Sequence, residues 1–511
     1  MATSERERPR GSLWWTTSAR DRFPALQGDL DVDVAIVGGG IVGVTTAHLL
    51  KTEGKRVALL EMGRIGQGTT GFTTAKLTVG QSLVYARLRS SHGEDGARLF
   101  AESNGAAIVH LAEIAEEIDC DWEVASNYVY TESTGRLEQL EEEQDAMRAA
   151  GIAAELTRET DLPFPVAGAI RVDDQAQFHP LKFLAGVVAR VPGDGSHVFE
   201  ATRAIDVRSA EPCLVETDGG RVRAQHVVLA TQLPFLDRGF FFAKTYPQKS
   251  YAIAARADAG AAPTGMYINI DEPTRSIRSA PDAAGDRYLI VGGESERPGE
   301  DPRTDERYGA LEDFMREHFG AESELRWSAH DYMPADGLPY IGRLRRSDER
   351  VFVATGFAKW GLTKGLIAAR IVTDGIVGRP NPWAELYDPG RITPRSSAKA
   401  LLVENAKVAR HFLADRLRGR PGDEVVRRLQ PGEGTVVRVA GRHFAVYRDD
   451  SGVRHVLSAR CPHLGCLIEW SNADRTWECP CHGSRFSGEG ALVQGPATRD
   501  LAPRDLPRQE G

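Results

Sequence analysis

The chain runs to 511 residues, 41% apolar and 26% charged, with 63 Lys and Arg against 72 Asp and Glu for a formal charge of −9. At roughly 150 residues per domain, that length predicts several domain-sized units, each able to bury a core without a disulfide framework. The composition excludes bulk disorder, the acidic balance leaves no basic footprint for nucleic acid, and no apolar run approaches the roughly 18 residues of a membrane span.

Met1 to Arg10 is charged and lacks an apolar export core, which points to a cytoplasmic protein. Leu13-Trp14-Trp15 reads as a segment packed on a domain surface. The first strong strand, Val32 to Val37, runs into Gly38-Gly39-Gly40-Ile41-Val42-Gly43, followed by a helical stretch from Val44 to Lys51. A second strand, Val57 to Leu60, ends in Glu61. A glycine motif between a strand and a helix, with an acidic residue after the next strand, is the context a dinucleotide site requires. Gly38 permits the tight turn, Gly40 lets backbone amides approach a pyrophosphate, and Gly43 allows close helix–strand packing. Ile41 and Val42 open the helix whose N–H groups face the phosphates, and Glu61 is placed to accept from ribose hydroxyls.

Helical periodicity follows over 101–117 and 135–150, with strand-like runs at 227–230, 288–292 and 351–354. Prolines at 380, 382, 389 and 394 close this body. From Ser396 to Arg418, Leu402, Ala406, Ala409, Leu413 and Leu417 recur at helical spacing, so an amphipathic connector is predicted whose apolar stripe docks on the body. Beyond it, short β-like runs at 436–439, 444–447 and 453–457 mark a small β domain. The predicted division is therefore 1–395, a connector over 396–422, and 423–511.

Cys120 and Cys213 are isolated and read as buried hydrophobes. Cys461, Cys466, Cys479 and Cys481 cluster instead, with His463 and His482 among them. C-x-H followed by C-x-x-H means a metal or a bridge, and a tetrahedral zinc site is one reading the spacing permits.

Two resemblances extend this reading. Residues 31–78, with Val227-Val-Leu-Ala230-Thr231, Asp336-Gly-Leu-Pro-Tyr-Ile-Gly342 and Ala354-Thr-Gly356-Phe-Ala-Lys-Trp-Gly361-Leu362-Thr363, resemble the D-amino-acid oxidase and glycine oxidase superfamily. This implies an α/β Rossmann-type FAD domain interleaved with an antiparallel-sheet substrate domain, and Thr69, Thr70 and Thr74 near the pyrophosphate and flavin. Gly361-Leu362-Thr363 opens a helix whose amides would face the flavin carbonyl edge, with Thr363 as a plain N-cap the alternative. Phe72 stands near where covalent relatives carry a His, so FAD is expected to be non-covalent. Amino-acid oxidases of the superfamily carry an Arg before the Asp-Gly-Leu-Pro motif; here Asp331 stands near that place. An acid there favours an amine over a carboxylate, unless it pairs locally or caps a turn. Tyr251 is a candidate to face the flavin or an ordinary core tyrosine.

Cys461-Pro-His463-Leu-Gly-Cys466 and Cys479-Pro-Cys481-His482-Gly-Ser484 resemble the Rieske family. The resemblance implies a small all-β domain holding a [2Fe–2S] cluster, with Cys461 and Cys479 on one iron, His463 and His482 on the other, and Cys466–Cys481 as a disulfide between the cluster loops. Both histidines are expected on the solvent-facing side. Such centres have potentials of about −150 to +300 mV. Phe486 replaces the Tyr of high-potential members, which should lower the potential. Together the resemblances imply an FAD-dependent dehydrogenase acting on a small amine or amino-acid derivative, its electrons leaving singly to an external acceptor protein or quinone-like acceptor. An O2-using oxidase with a structural Rieske domain, and a redox-sensing or partner-binding protein, are the alternatives.

Overall fold

The first strand, Leu30–Val37, is buried along most of its length, as a β-branched run sandwiched between helices should be. The computed structural model describes residues 11–236, 238–257, 260–282, 285–391, 398, 402–408 and 420–507. Leu30–Val37 pairs in parallel with Val57–Leu60 on one side and Arg221–Leu229 on the other, so Val37 lies level with both Leu60 and Leu229. Val351–Thr355 extends the sheet in parallel beyond Arg221–Leu229, and His197–Phe199 beyond Val57–Leu60. The first strand thus leads its neighbours at a topological switch point, and a crevice opens beyond the strands' carboxyl ends. Two helices, Ile41–Thr52 and Gly361–Val377, pack against each other there, closely enough that a Cβ on Gly365 would lie 2.8 Å from Ile41.

The second sheet has nine strands and supplies the other wall. Leu325–Pro334, Thr245–Ala257, Arg287–Glu296, Arg275–Pro281 and Met266–Asn269 follow one another in antiparallel order. The expected antiparallel sheet carries one parallel pairing: Met266–Asn269 joins Glu123–Thr131 in parallel, these two strands being brought together across a long stretch of chain. The helix predicted over 101–117 is the second half of Val84–Ala115, which breaks at Gly93, where φ is 73°.

Two four-stranded sheets form the C-terminal unit, Arg420–Pro421 to Arg454–Ser458 and Glu469–Ser471 to Leu492–Gln494. Of the predicted connector, 398, 402–408 and 420–422 lie within the described residues; 402–408 are helical, whereas Arg420–Pro421 is already a strand of the C-terminal unit. The docking face differs from the expected stripe. Leu402 is 72% exposed, whereas Asn405 Nδ2 donates to the Ala243 carbonyl (2.9 Å), Glu404 pairs with Arg297, and Val408 packs on the C-terminal core. Ala409, Leu413 and Leu417 lie outside the described residues.

Candidate functional site

One cavity of 410 Å³ occupies the crevice. Gly38, Gly40, Ile41 and Val42 form its phosphate-loop end, with Glu61, Thr69, Thr70 and Thr74 beside them and Ala230, Thr231, Gly361 and Leu362 opposite. Gly43, Gly356 and Thr363 lie off the lining. Gly43 is a packing glycine, since a Cβ there would fall 1.8 Å from the Gly38 carbonyl oxygen. Thr363 lies inside the helix that Trp360 caps, and its Oγ1 accepts from Gln81 Nε2 (3.3 Å), so the N-cap alternative is replaced by an internal bond.

Neither helix that opens on the cavity is capped by its own N-cap side chain; Thr70 Oγ1 accepts from the Ile41 N–H (3.1 Å), and the remaining first-turn amides of both helices point partial positive charge into one space. Glu61 accepts from the amides of Gly39 (2.7 Å) and Gly63 (2.8 Å), while burial pushes its carboxyl pKa up. Behind Thr69–Phe72, Trp14 Nε1 donates to the Thr73 carbonyl (2.7 Å) and Ser12 Oγ to that of Gly71. The tryptophan segment is thus a buttress for the cavity loop. A glycine-floored crevice with an acid at its side and two helix N-termini fits a dinucleotide. Among the described residues that line it there is no His or Cys.

At the sheet end, the two candidate residues Asp331 and Tyr251 are otherwise engaged. Asp331 accepts from the amides of Tyr332 (2.7 Å) and Lys359, the turn-capping alternative, and burial raises its pKa. Tyr251 touches the cavity, but its hydroxyl donates to Glu296 and its ring meets Tyr308 edge-on at 4.9 Å. Sequence reasoning missed the two cations here. Lys359 faces the lumen beside Ser295, and the protein walls around it lower its pKa to about 8. Lys76 is buried, donates to the Tyr267 carbonyl (2.6 Å), and is lowered by burial. Both sit inside stretches that resemble the superfamily, yet a lysine at one position carries no periodic mark.

The cysteine–histidine boxes fold into two matching turns. Gly465 N–H bonds the Cys461 carbonyl and Gly483 N–H the Cys479 carbonyl, both at 2.9 Å, with φ of 82° and 73° at the glycines. Cys466 and Cys481 form a disulfide between these turns, and Cys479 Sγ lies within 4.8 Å of both its sulfurs. The thiols of Cys461 and Cys479 neighbour each other, and their interaction lowers the pKa of the first and raises that of the second. The rings of His463 and His482 stand 5.0 Å apart, and His482 Nδ1 is buried without a hydrogen-bond partner. Two facing thiols and an orphaned imidazole nitrogen suit a metal cluster better than an empty core.

The expected orientation changes here. His482 is only 3% exposed, turned toward the body with its ring against Phe242 at 5.6 Å. His463 alone reaches the surface, half-buried between exposed Pro462 and Leu464. The reason is docking: Tyr332 OH donates to the His482 carbonyl (2.6 Å), and His330 Nδ1 lies 3.1 Å from that of Gly483. Both come from Leu325–Pro334, whose alternate residues Ala329 and Asp331 line the cavity. Tyr332→Phe should lower the midpoint potential of a cluster held here, because the hydroxyl dipole favours the more negative reduced state. A bond worth about 1 kcal/mol sets an upper limit of roughly 40 mV, read by redox titration followed by EPR.

The family model for FAD dependent oxidoreductases (DAO) matches residues 33–375, and that for the Rieske [2Fe-2S] domain matches 424–504. YhfW of Bacillus subtilis (strain 168), a protein named for a Rieske 2Fe-2S iron–sulfur centre, is 34% identical over 97% of both chains. Gamma-glutamylputrescine oxidoreductase of Escherichia coli (strain K12) is 23% identical over 70% of this chain and 86% of its own. The crystal structure of glycine oxidase from Geobacillus kaustophilus superposes with a TM-score of 0.60 at 21% identity, covering 71% of this chain and 99% of that one.

Proposed function

We propose, from the premise that this chain belongs to the FAD-dependent oxidoreductase (DAO) family and carries a Rieske [2Fe-2S] domain, that it oxidises a small amino-acid derivative and delivers the electrons singly to an outside acceptor. When bound, FAD supplies hydride acceptance and the cluster a one-electron relay; the chain positions and tunes them. The amides of Gly40 and Val42 would hold the pyrophosphate, with Gly38 shaping the turn through its own bond to the Leu60 carbonyl (2.8 Å) and Ile41 bonded to Thr70 Oγ1 (3.1 Å); Glu61 would hold the ribose, and Gly361 and Leu362 the flavin carbonyl edge, with FAD held non-covalently. Cys461 and Cys479 would hold one iron, His463 and His482 the other.

The observation that carries this reading is the single strand 325–334, which walls the cavity with one set of side chains and grips the cluster loop with the other. Anaerobic addition of amines, amino acids and hydroxy acids, with flavin absorbance and EPR recorded together, tests it. A substrate that bleaches the flavin should also reduce the cluster. If the cluster stays oxidised while O2 is consumed during turnover, the oxidase reading replaces this one.

With Asp331 committed to backbone amides and Lys359 facing the lumen, a carboxylate-bearing substrate is favoured over a simple amine. The ammonium is charged below its pKa of about 8 and neutral above it, so affinity for a carboxylate should fall as pH rises through about 8. Lys359→Met should raise KM about tenfold or more with kcat less affected, and flatten that pH profile. Steady-state kinetics from pH 6.5 to 9.5 would decide; an unchanged KM sinks the assignment.

A further inference from the structure

The cavity that would hold FAD is not made by the FAD domain alone. Residues 492–498, from the Rieske unit, line it beside Glu61, Met62 and 202–204. Three independent contacts hold them there. Gln494 Nε2 donates to Gln232 Oε1, Arg203 pairs with Asp500 at 3.0 Å, and Met62, next to Glu61, packs on the Rieske core. Gln232 is the hub of this arrangement. Its amide nitrogen also donates to Thr69 Oγ1 (2.6 Å) and to the His330 carbonyl, and it adopts φ of 67°, which a non-glycine residue holds only where its surroundings over-determine it. On its other side the 492–498 loop meets the cluster turns: Ala497 N–H donates to Ser484 Oγ (3.1 Å), and the Ser484 carbonyl in turn accepts from the Cys479 N–H (2.9 Å).

We infer that the FAD site is composite, and that the 492–498 loop couples FAD binding to cluster occupancy. A cluster on Cys461 and Cys479 fixes Ser484 through the Cys479 amide, Ser484 fixes Ala497, and the loop so fixed completes the cavity wall through Gln494 and Gln232. Because such coupling is reciprocal, the factor by which the cluster tightens FAD is the factor by which FAD tightens the cluster. The inference rests on the FAD assignment of the cavity. It also revises what the motifs suggest, since every FAD motif lies before residue 380 and cluster loss would otherwise leave FAD untouched.

The test uses the full chain, depleted of FAD, in cluster-loaded and chelator-stripped forms, titrated with FAD and followed by flavin fluorescence. The stripped form should bind FAD about tenfold more weakly, and added FAD should slow iron loss from the loaded form, read as visible absorbance under chelator. Gln494→Ala, which touches no proposed iron ligand, should keep the cluster absorbance yet weaken FAD several-fold. That variant covers the case in which stripped protein aggregates. Equal FAD affinity in loaded, stripped and Gln494→Ala proteins overturns the inference. Absence of saturable FAD binding by the loaded chain would instead overturn the FAD assignment itself.

Discussion

Gly43→Ala is expected to yield a protein that neither holds flavin nor melts like the parent. A Cβ at this position would fall 1.8 Å from the Gly38 carbonyl oxygen, a backbone atom fixed by the turn on which the cavity is built. Relief requires moving the helix Ile41–Thr52 off its strand, an overpacking cost of about 3 kcal/mol or more. Gly40→Ala makes the informative partner. There the nearest obstacle is Thr70 Oγ1 at 3.1 Å, a side chain able to shift, but the new methyl stands on the cavity floor. That variant should melt within a few degrees of the parent and still lose FAD affinity by about tenfold or more. Flavin-to-protein ratio after gel filtration, set beside thermal melts, separates the two. Normal flavin content in Gly43→Ala would mean that the turn is not built as described.

The second large effect lies between the two units. Lys249, fully buried on Thr245–Ala257, reaches Asp474 (2.5 Å) and Glu478 (2.9 Å) of the Rieske unit, where Tyr308 OH also meets Asp474 at 3.1 Å and Arg485 lies 3.4 Å from Glu478. Burial opposes ionisation of Glu478, but Lys249, His330 and Arg485 together outweigh it and hold its pKa well below the usual carboxylate range. Lys249→Met removes the central cation and leaves buried negative charge against the sheet, at a cost of about 3–5 kcal/mol. Differential scanning calorimetry should show a lowered transition, and limited proteolysis should release a C-terminal fragment. Adding Asp474→Asn alone should recover much of the loss, because Arg485 then still faces one carboxylate, Glu478, and no charge is left uncompensated. A single Lys249→Met variant as stable as the parent would show that the network does not hold the units together.

The parts of this molecule that are legible in its sequence are those whose chemistry demands particular residues at fixed spacing. The strand–glycine–helix opening leaves little freedom at Gly38 and Gly43, and the cysteine–histidine boxes must return the same atoms to one point. These places were readable because the spacing itself states the geometry. What joins the units was not. Lys249 looks like any strand lysine, Gln232 and Gln494 are polar residues in loops, and Tyr332 obeys the same alternation as its neighbours. Contacts between units are made once, by isolated side chains, and leave no period to detect. The connector shows the converse error: its apolar stripe at Leu402 and Ala406 suggests a docked face, yet within 402–408 the body is met by Glu404 and Asn405 through polar bonds that hydrophobic periodicity does not see, while Val408 packs on the C-terminal core.

The inward turn of His482 and the outward position of His463 have a kinetic consequence. On the proposed reading, a Rieske unit pinned by a buried ion network and by bonds from Tyr332 and Gln232 would stay where it is, and an outside acceptor would have to come to it. It would arrive at the small surface around Pro462, His463 and Leu464, while substrate would use the cavity on the other side of the 325–334 strand. Two reactants that never share a binding surface do not compete. In steady-state assays, then, the acceptor at high concentration should not inhibit with respect to substrate, nor substrate with respect to acceptor.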